Sequence, residues 1–331
     1  MRPVPVVICG LGAIGTAVAR AMATDPGVRL VGAVDPAPGL AGEALAAHLR
    51  TPARQDRKGI SIARSLGEIR RFPAGTVLLH TAGSSFKDAL PLLTAGLDRG
   101  LSAVSSCEEL LWPWHTHPRL ARRLDRAARH ACRAILATGV NPGFVMDLLP
   151  AVASAVCRNI RHIHVVRRVD VASRRRPLQR KVGVGLTVGA FRARARRHAI
   201  GHAGLEASAR WLAHAIGWEL DTVTQSLAPV TAGPGRPRAG TPVHGQTQKL
   251  SGRSGGREVV RFELTMALGT RPQMDEIRIK GTPPVNIRIS PGTAGDEATV
   301  SSLLNGIRRI GQESPGLVWR PGFALPHGGV G

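Results

Sequence analysis

Several residue types are scarce in this chain of 331 residues, and each scarcity excludes a class of protein. The four cysteines, Cys9, Cys107, Cys132 and Cys157, form no Cys-x-x-Cys pair, so we expect reduced, buried thiols, no disulfide framework and no bound metal. No apolar run reaches the roughly 20 residues that cross a bilayer. The chain enters a strand at its N-terminus, which leaves no room for a signal peptide. These absences predict a cytoplasmic protein without a membrane span.

Aromatic residues are also scarce, while arginine is abundant. Phe and Trp make up 3% of the chain, Tyr is absent, and the formal net charge is +23. Such a charge suits nucleic acid, yet the basic residues are spread along the chain and no aromatic surface is predicted on which bases would stack. We interpret the charge as solvated surface and expect no nucleic-acid partner. A non-catalytic regulator that binds a cofactor or nucleic acid is the alternative from a different class.

The first 35 residues contain the pattern of a dinucleotide-binding fold. An apolar strand, Val4–Cys9, precedes the motif Gly10-Leu11-Gly12-Ala13-Ile14-Gly15. A helix over Thr16–Ala23 and a second strand, Arg29–Val34, follow, and the second strand ends in Asp35. Because strand, glycine motif, helix, strand and acid occur in the required order, the pattern predicts binding of a nicotinamide dinucleotide.

Each glycine of this motif has a mechanical role. Gly10 permits the tight turn out of the strand, Gly12 lets the backbone approach the pyrophosphate, and Gly15 allows close packing of helix on strand. We expect the pyrophosphate at the N–H groups of Ala13 and Ile14, because a helix N-terminus favours negative charge.

Asp35 bears on the choice of cofactor. A carboxylate there accepts hydrogen bonds from the adenosine ribose and repels the 2′-phosphate of NADP, and the following Pro36-Ala37-Pro38 contains no basic residue. Arg20 or Arg50 would have to fold over a phosphate to bind NADP. We therefore predict NAD as the preferred cofactor, with NADP as the alternative.

Length and element order predict two domains. Strands alternate with helices through residues 1–143, which predicts a doubly wound, parallel Rossmann sheet that binds NAD(P). Residues 144–297 predict a second α/β domain with a mixed, mostly antiparallel sheet for substrate binding and dimerisation. Residues 298–331, a C-terminal helix and tail, are expected to pack back on the first domain.

Individual elements of this prediction are open to direct comparison with the structure. The sequence predicts a helix over Ala41–Leu49, a strand over Ile163–Val171, an exposed loop over Pro229–Pro242 and a hairpin turn at 251–256. Asp296 is predicted to cap the closing helix.

Two adjacent acids follow a predicted strand of the parallel sheet. Glu108 and Glu109 come after Ser102–Ser105, on the side where ligands of such sheets gather. A carboxylate beside a nicotinamide acts as a general acid or base once desolvation raises its pKa. From position alone, acids that begin the next helix are an equally good interpretation.

Other polar or flexible positions follow the neighbouring strands. Ala82 and Gly83 lie after the strand that ends at His80, and the turn that contains Asn141 and Pro142 closes the first domain. The Asn141 amide would face substrate or nicotinamide; the alternative is an ordinary interdomain turn.

Three positions in the second half are weaker candidates. Arg168 and Asp170 lie two residues apart on one strand and so face the same side, where they would either pair or bind a polar substrate group. His202 lies between glycines just before a helix.

Four segments together resemble one family. They are Ser-Ser-Cys-Glu-Glu-Leu at 105–110, Gly-Val-Asn-Pro-Gly-Phe-Val-Met-Asp at 139–147, Arg-Pro-Leu-Gln-Arg-Lys-Val-Gly at 176–183 and Gly-His-Ala-Gly-Leu-Glu-Ala-Ser at 201–208. The combination resembles the 2,4-diaminopentanoate dehydrogenase family, which includes native amine dehydrogenases and is distantly related to dihydrodipicolinate reductase. The segments at 280–284 and 292–305 extend the resemblance over nearly the whole chain.

The resemblance implies oxidative deamination of an amine to a carbonyl compound with NAD(P), or reductive amination with ammonia in reverse. It also implies a homodimer. The catalytic acid of the family maps onto Glu108, with Glu109 second, and cleft positions map onto Asn141, Arg168 and His202. The match around Arg168 is looser because the residues that follow it depart from the expected order.

Two rival enzyme classes are disfavoured by what is missing. A chain without Tyr has no Tyr–Lys pair of the short-chain dehydrogenase type. The alternative function, reduction of a preformed cyclic imine as in dihydrodipicolinate reductase, is expected to use a His-His pair and a Lys in an Asp-Ala-Pro-Ser-Gly segment, neither of which occurs.

Overall fold

The computed structural model of the protein describes residues 2–50, 59–233 and 238–319. These residues form two compact units, which are described separately. Unit 1 comprises residues 2–143 and 295–319, and unit 2 comprises residues 144–294.

Unit 1 contains a parallel sheet of seven strands in the order β13-β6-β5-β4-β1-β2-β3. The strands are β1 (Val4–Cys9), β2 (Val28–Val34), β3 (Ile62–Ala63), β4 (Val77–His80), β5 (Ser102–Ser105), β6 (Ala134–Ala137) and β13 (Gly316–Val318). The helices are α1 (Ala13–Ala21), α2 (Leu45–Leu49), α3 (Phe86–Asp98), α4 (Pro113–Thr116), α5 (Pro118–His130) and α10 (Gly295–Arg309).

Helices cover both faces of this sheet because its central strands are apolar on both sides. Val6 and Ile8 pack into one core with α1 and α10, whereas Val7 and Leu78 pack into another with α3 and α5. The chain therefore returns to unit 1 after residue 294 and adds α10 and the edge strand β13.

Unit 2 contains a six-stranded sheet in the order β12-β11-β7-β10-β9-β8, in which β7 and β10 form the only parallel pair of the described strands. The strands are β7 (Arg158–Asp170), β8 (Thr222–Thr231), β9 (Val243–Ser254), β10 (Arg257–Ala267), β11 (Met274–Thr282) and β12 (Val285–Ile289). The helices are α6 (Leu148–Ala153), α7 (Arg176–Lys181), α8 (Val188–Arg196) and α9 (Leu205–Ile216).

The predicted fold class is confirmed: a doubly wound parallel sheet is joined to a second unit with a mixed, mostly antiparallel sheet. The first strand has the predicted bounds, Val4–Cys9. The hairpin turn is confirmed at Gly255 and Gly256, where β9 and β10 pair.

Several element boundaries were wrong. The predicted helix Ala41–Leu49 is only Leu45–Leu49, and the strand predicted from Ile163 begins at Arg158. The segment predicted as a loop from Pro229 instead continues β8 to Thr231. The pairing of β8 with β9 overrides the weak strand propensity of proline at this edge of the sheet.

Two side-chain predictions also differ from the structure. Asp296 does not precede α10, because the helix begins at Gly295 and already includes Asp296 in its first turn, where its charge suits the helix dipole. Cys132 is exposed, whereas the other three cysteines are buried as expected. Burial raises the pKa of Cys9 to about 12, so this thiol stays protonated within the first strand.

Candidate active site

The glycine motif of unit 1 forms a turn that tolerates no side chain at two positions. Gly10 has φ +98°, and a Cβ there would lie 2.7 Å from the Ala82 backbone nitrogen. A Cβ at Gly15 would lie 1.9 Å from the Gly10 carbonyl oxygen. The Thr81 hydroxyl donates to that same oxygen at 2.6 Å, which ties the turn to the loop after β4.

Gly12 differs from the other two glycines. It is exposed at the N-terminus of α1, and no heavy atom lies within 4 Å of the position its Cβ would take. The adjoining Ala13 is exposed and Ile14 is half-buried. This open space beside free helical N–H groups fits a pyrophosphate, because anions bind where a helix begins.

Asp35 is fixed by two backbone N–H groups. Leu11 N donates to Asp35 Oδ2 at 2.7 Å, and Ala37 N donates to Asp35 Oδ1 at 2.9 Å. A carboxylate has about four acceptor positions, so both oxygens keep capacity for ribose hydroxyls. Arg20 Nε donates to the Leu49 carbonyl at 3.0 Å, and Arg50 is exposed after α2.

A hydrogen-bonded network holds the turn after β5. His80 Nδ1 lies 2.8 Å from Ser105 Oγ, and the Cys107 amide donates to the same oxygen at 3.0 Å. The Cys107 thiol donates to the Ser84 carbonyl at 3.2 Å, and burial raises the pKa of this thiol to about 12. Burial lowers the pKa of His80 to about 4, so this imidazole is neutral. The network therefore fixes the backbone on which Glu108 lies.

The two adjacent glutamates have different surroundings. Glu109 Oε2 accepts the Phe86 amide at the start of α3 at 2.8 Å and lies 3.5 Å from His117 Nε2. Glu109 therefore has a structural role at the N-terminus of α3, a helix that precedes it in the chain. Both acids also begin the short helix that follows β5, as the alternative drawn from the sequence expected. Glu108 begins a short 3₁₀-helix, Glu108–Leu111, and its Oε2 atom is buried.

The turn after β6 presents an amide to the same edge of the sheet. Asn141 precedes a cis peptide bond to Pro142. Its Oδ1 atom is buried and accepts no hydrogen bond from any residue that the structure describes. Gly143, with φ +124°, closes the turn so tightly that a Cβ would lie 2.4 Å from the Gly139 nitrogen.

The predicted residues of unit 1 thus follow the carboxyl ends of neighbouring parallel strands. The glycine motif follows β1, Asp35 follows β2, the exposed Ala82 and Gly83 follow β4, Glu108 follows β5, and Asn141 with Pro142 follows β6. Since β6, β5, β4, β1 and β2 are consecutive in the sheet, the structure brings these residues to one edge. Such an edge is where α/β sheets bind ligands.

In unit 2 the structure separates the predicted arginine from its predicted partner. Arg168 is exposed, and Asp170 Oδ1 accepts the amides of Ala172 and Gly269, each at 2.9 Å. The buried arginine is instead Arg167, which donates to both oxygens of Asp275 at 2.8 and 2.9 Å. One residue along a strand reverses the face, which local sequence reasoning did not resolve.

The backbone of His202 is held by Gln248. Its amide donates to Gln248 Oε1 at 2.9 Å, and its carbonyl accepts from Gln248 Nε2 at 3.2 Å. The ring nitrogen Nε2 is buried. The sequence pattern did not single out Gln248, His80 or Ser105, although a histidine that ends an apolar strand was a usable signal for the network after β5.

Two general findings concern other classes of function. Within residues 2–50, 59–233 and 238–319, no group of three or more His, Cys, Asp or Glu side chains is placed to hold a metal ion. No helix in the described part of the chain is both long and apolar enough to cross a membrane.

The class of protein is a nicotinamide-dependent oxidoreductase. Its features are a parallel sheet with this glycine turn, a carboxylate after the second strand and an acid after β5. Residues 144–331 match the family described as the 2,4-diaminopentanoate dehydrogenase C-terminal domain. The protein is 31% identical to 2,4-diaminopentanoate dehydrogenase of Acetoanaerobium sticklandii, over 96% of this chain and 92% of that protein. The chain belongs to the 2,4-diaminopentanoate dehydrogenase family, which confirms the resemblance found in the sequence.

Solved structures agree on the fold. An amine dehydrogenase from Mycobacterium smegmatis superposes with a TM-score of 0.82 at 23% identity, covering 96% of this chain and 94% of that one. A dihydrodipicolinate reductase from Paenisporosarcina sp. TG-14 superposes with a TM-score of 0.52 at 12% identity, covering 96% and 97%. At these identities the likeness concerns architecture alone.

Proposed function

We propose that the protein is an NAD-dependent amine dehydrogenase that interconverts an amine with a ketone or aldehyde and ammonia. The observation that carries this proposal is that two adjacent acids, Glu108 and Glu109, have different surroundings. Glu109 is occupied by the N-terminus of α3, whereas Glu108 lies on a rigidly held turn at the edge that carries the dinucleotide motif. Family membership makes an amine the expected donor.

The preference for NAD over NADP rests on Asp35. Its carboxylate is oriented by Leu11 and Ala37, so it is in place to accept ribose hydroxyls and to repel a 2′-phosphate. The guanidinium of Arg20 already donates to the backbone of α2. Arg50 is then the remaining basic side chain of those that the sequence offered for a phosphate.

The roles assigned to the residues of this chain are proton transfer and the positioning of substrate and cofactor. Bound NADH supplies a hydride to the substrate carbon. In the reductive direction, Glu108 relays protons while ammonia adds to the carbonyl and water leaves, and its carboxylate stabilises the iminium cation that accepts the hydride. Asn141 presents its unpartnered Oδ1 atom to an N–H of the nicotinamide amide or of the substrate.

The same proposal includes the features that the family resemblance implies beyond unit 1. Unit 2 binds the substrate, with His202 among the contacting residues, and the active species is a homodimer in the cytoplasm. Because Arg168 is exposed and Arg167 is buried against Asp275, a substrate role for Arg168 has no support from its surroundings.

The test is NADH and NADPH consumption with a panel of ketones, aldehydes and keto acids, each with and without ammonium. We expect oxidation of the reduced cofactor that requires both the carbonyl compound and ammonia, with NADH preferred to NADPH. In the reverse direction, 2,4-diaminopentanoate is the first amine to test with NAD⁺. Oxidation without ammonia would identify a carbonyl reductase, and oxidation by a preformed cyclic imine alone would favour the dihydrodipicolinate reductase type.

A further inference from the structure

A buried hydroxyl lies at the start of the turn that carries Glu108. Ser105 is the last residue of β5 and is 0% exposed, and His80 is the last residue of the neighbouring strand β4 and is 3% exposed. The two residues are opposite each other in the register of these strands. Since the Ser105 hydroxyl contacts both the His80 ring and the Cys107 amide, the three groups connect β4 with the residue that precedes Glu108.

The direction of each hydrogen bond in this connection follows from the groups that take part. A serine hydroxyl has one proton to donate and lone pairs that accept. Ser105 Oγ accepts from the Cys107 amide, and its other hydrogen bond within the described residues is the one to His80 Nδ1. Because burial lowers the pKa of His80 to about 4, the ring is neutral at pH 7 and Nδ1 accepts the Ser105 proton. The imidazole therefore acts here as a hydrogen-bond acceptor.

Glu108 lies between two residues that are held in place. On one side, the Cys107 amide is bound to Ser105 Oγ, and the Cys107 thiol donates to the Ser84 carbonyl at 3.2 Å. On the other side, the Glu109 amide donates to the same carbonyl at 3.2 Å. The Ser84 contacts come from the loop that follows β4, whereas the Ser105 contact comes from the end of a strand. The Ser105 contact therefore fixes the point at which the turn leaves the sheet.

We infer that His80 and Ser105 are positioning residues for the Glu108 carboxylate. Both side chains are buried, and they act through the Cys107 amide on the backbone of Glu108. A displacement of about 1 Å in a reacting group costs about 10²-fold in rate, so a hydrogen bond one residue away from Glu108 affects turnover without any contact to the substrate. This inference rests on the proposed function, in which Glu108 transfers protons.

Two substitutions of His80 distinguish positioning from a purely structural role. Asn and Leu side chains have similar shapes, so both leave a similar cavity in place of the ring. His80→Asn puts a carboxamide oxygen near the position of Nδ1 and keeps an acceptor for the Ser105 hydroxyl, whereas His80→Leu keeps none. We expect kcat to fall by at least about tenfold in His80→Leu and to stay within about threefold of the wild type in His80→Asn.

The melting temperatures of these two variants should not follow this order. The Asn side chain buries an NH₂ group where the ring had a carbon, and a buried donor without a partner lowers stability. His80→Leu should therefore be at least as stable as His80→Asn. A purely structural role predicts that kcat follows stability, whereas positioning predicts that the variant with the hydrogen-bond acceptor is the faster one.

Two further measurements locate the effect at Glu108. Ser105→Ala removes a single oxygen atom, and with it the contact to the Cys107 amide, so kcat should fall as in His80→Leu. In a Glu108→Gln background, either substitution should change the residual kcat by less than about twofold, because residues that act through one group have non-additive effects. The Kd for NADH should stay within about twofold of the wild type, because the contacts assigned to the glycine motif and Asp35 are unchanged.

The experiment measures kcat from ammonia-dependent NADH oxidation beside the melting temperature of each variant, and Ser105→Ala decides if His80→Leu does not fold. Wild-type kcat in Ser105→Ala, equal losses of kcat in the two His80 variants, or a full further loss in the Glu108→Gln background would overturn the inference and leave the proposed function intact. Full turnover of Glu108→Gln, or a wild type without ammonia-dependent activity, would instead overturn the proposed function and the inference with it.

Discussion

Replacing the two adjacent glutamates one at a time should have different effects: replacement of Glu108 should lower kcat, and replacement of Glu109 should lower the stability of the fold. Glu108→Gln keeps the shape of the side chain but removes its charge and proton transfer, which contributes about 10²–10⁴-fold to rate. We therefore expect kcat to fall by at least about two orders of magnitude. The Kd for NADH should stay within about twofold, because the dinucleotide contacts assigned to the glycine motif and Asp35 are unchanged.

The matched substitution at Glu109 should act on the fold. Its carboxylate accepts the Phe86 amide at 2.8 Å, and a hydrogen bond to a partly exposed charged group contributes about 1–2 kcal/mol. Glu109→Ala should lower the free energy of unfolding by about that amount, while Glu109→Gln, which retains an acceptor oxygen, should have nearly wild-type kcat. The assays are ammonia-dependent NADH oxidation, fluorescence titration with NADH and urea denaturation. Near-normal turnover of Glu108→Gln, or loss of turnover in Glu109→Gln, would refute the assignment.

Three further predictions concern unit 1. Gly12→Ala should leave the melting temperature unchanged, because its Cβ meets nothing within 4 Å, yet raise the Kd for NADH by at least about tenfold; Gly15→Ala should instead unfold at lower temperature, because its Cβ would lie 1.9 Å from a carbonyl oxygen. Asp35→Ser should weaken NADH binding and narrow the NADH-to-NADPH affinity ratio by about tenfold; an unchanged ratio would contradict the role of Asp35. Burial lowers the pKa of His80 from its ordinary 6.5 to about 4, so between these pH values only the unfolded chain binds this proton. The free energy of unfolding should therefore decrease by about 3 kcal/mol in total as the pH is lowered from 6.5 to 4. Denaturation of His80→Gln from pH 7 to 4 should show a correspondingly flatter profile, whereas parallel profiles would contradict this account.

The sequence predicted unit 1 well because its signals are local. The apolar run before Gly10 and the fixed glycine spacing both describe a strand and the turn that directly follows it. The acids after β5 were equally visible. Their separation into a catalytic candidate and a structural residue depends on the Phe86 amide, which lies 23 positions away in the chain.

The errors in unit 2 have a common cause. The strand β8 contains Pro229 and no fully buried residue, so its stability comes from pairing with β9 rather than from its own pattern. The face that Arg168 occupies likewise depends on register across strands. Non-local pairing of this kind cannot be inferred from one sequence by periodicity.

The central claim is that this protein forms a carbon–nitrogen bond from a carbonyl compound and ammonia with oxidation of NADH. The most direct measurement is mass spectrometry of the product formed from pentan-2-one, 2-amino-4-oxopentanoate or another active carbonyl compound with NADH and ¹⁵N-ammonium. The account predicts one ¹⁵N-labelled amine for each NADH consumed, and no product without ammonium. An alcohol as the product, or NADH consumption that is independent of ammonium, would contradict it.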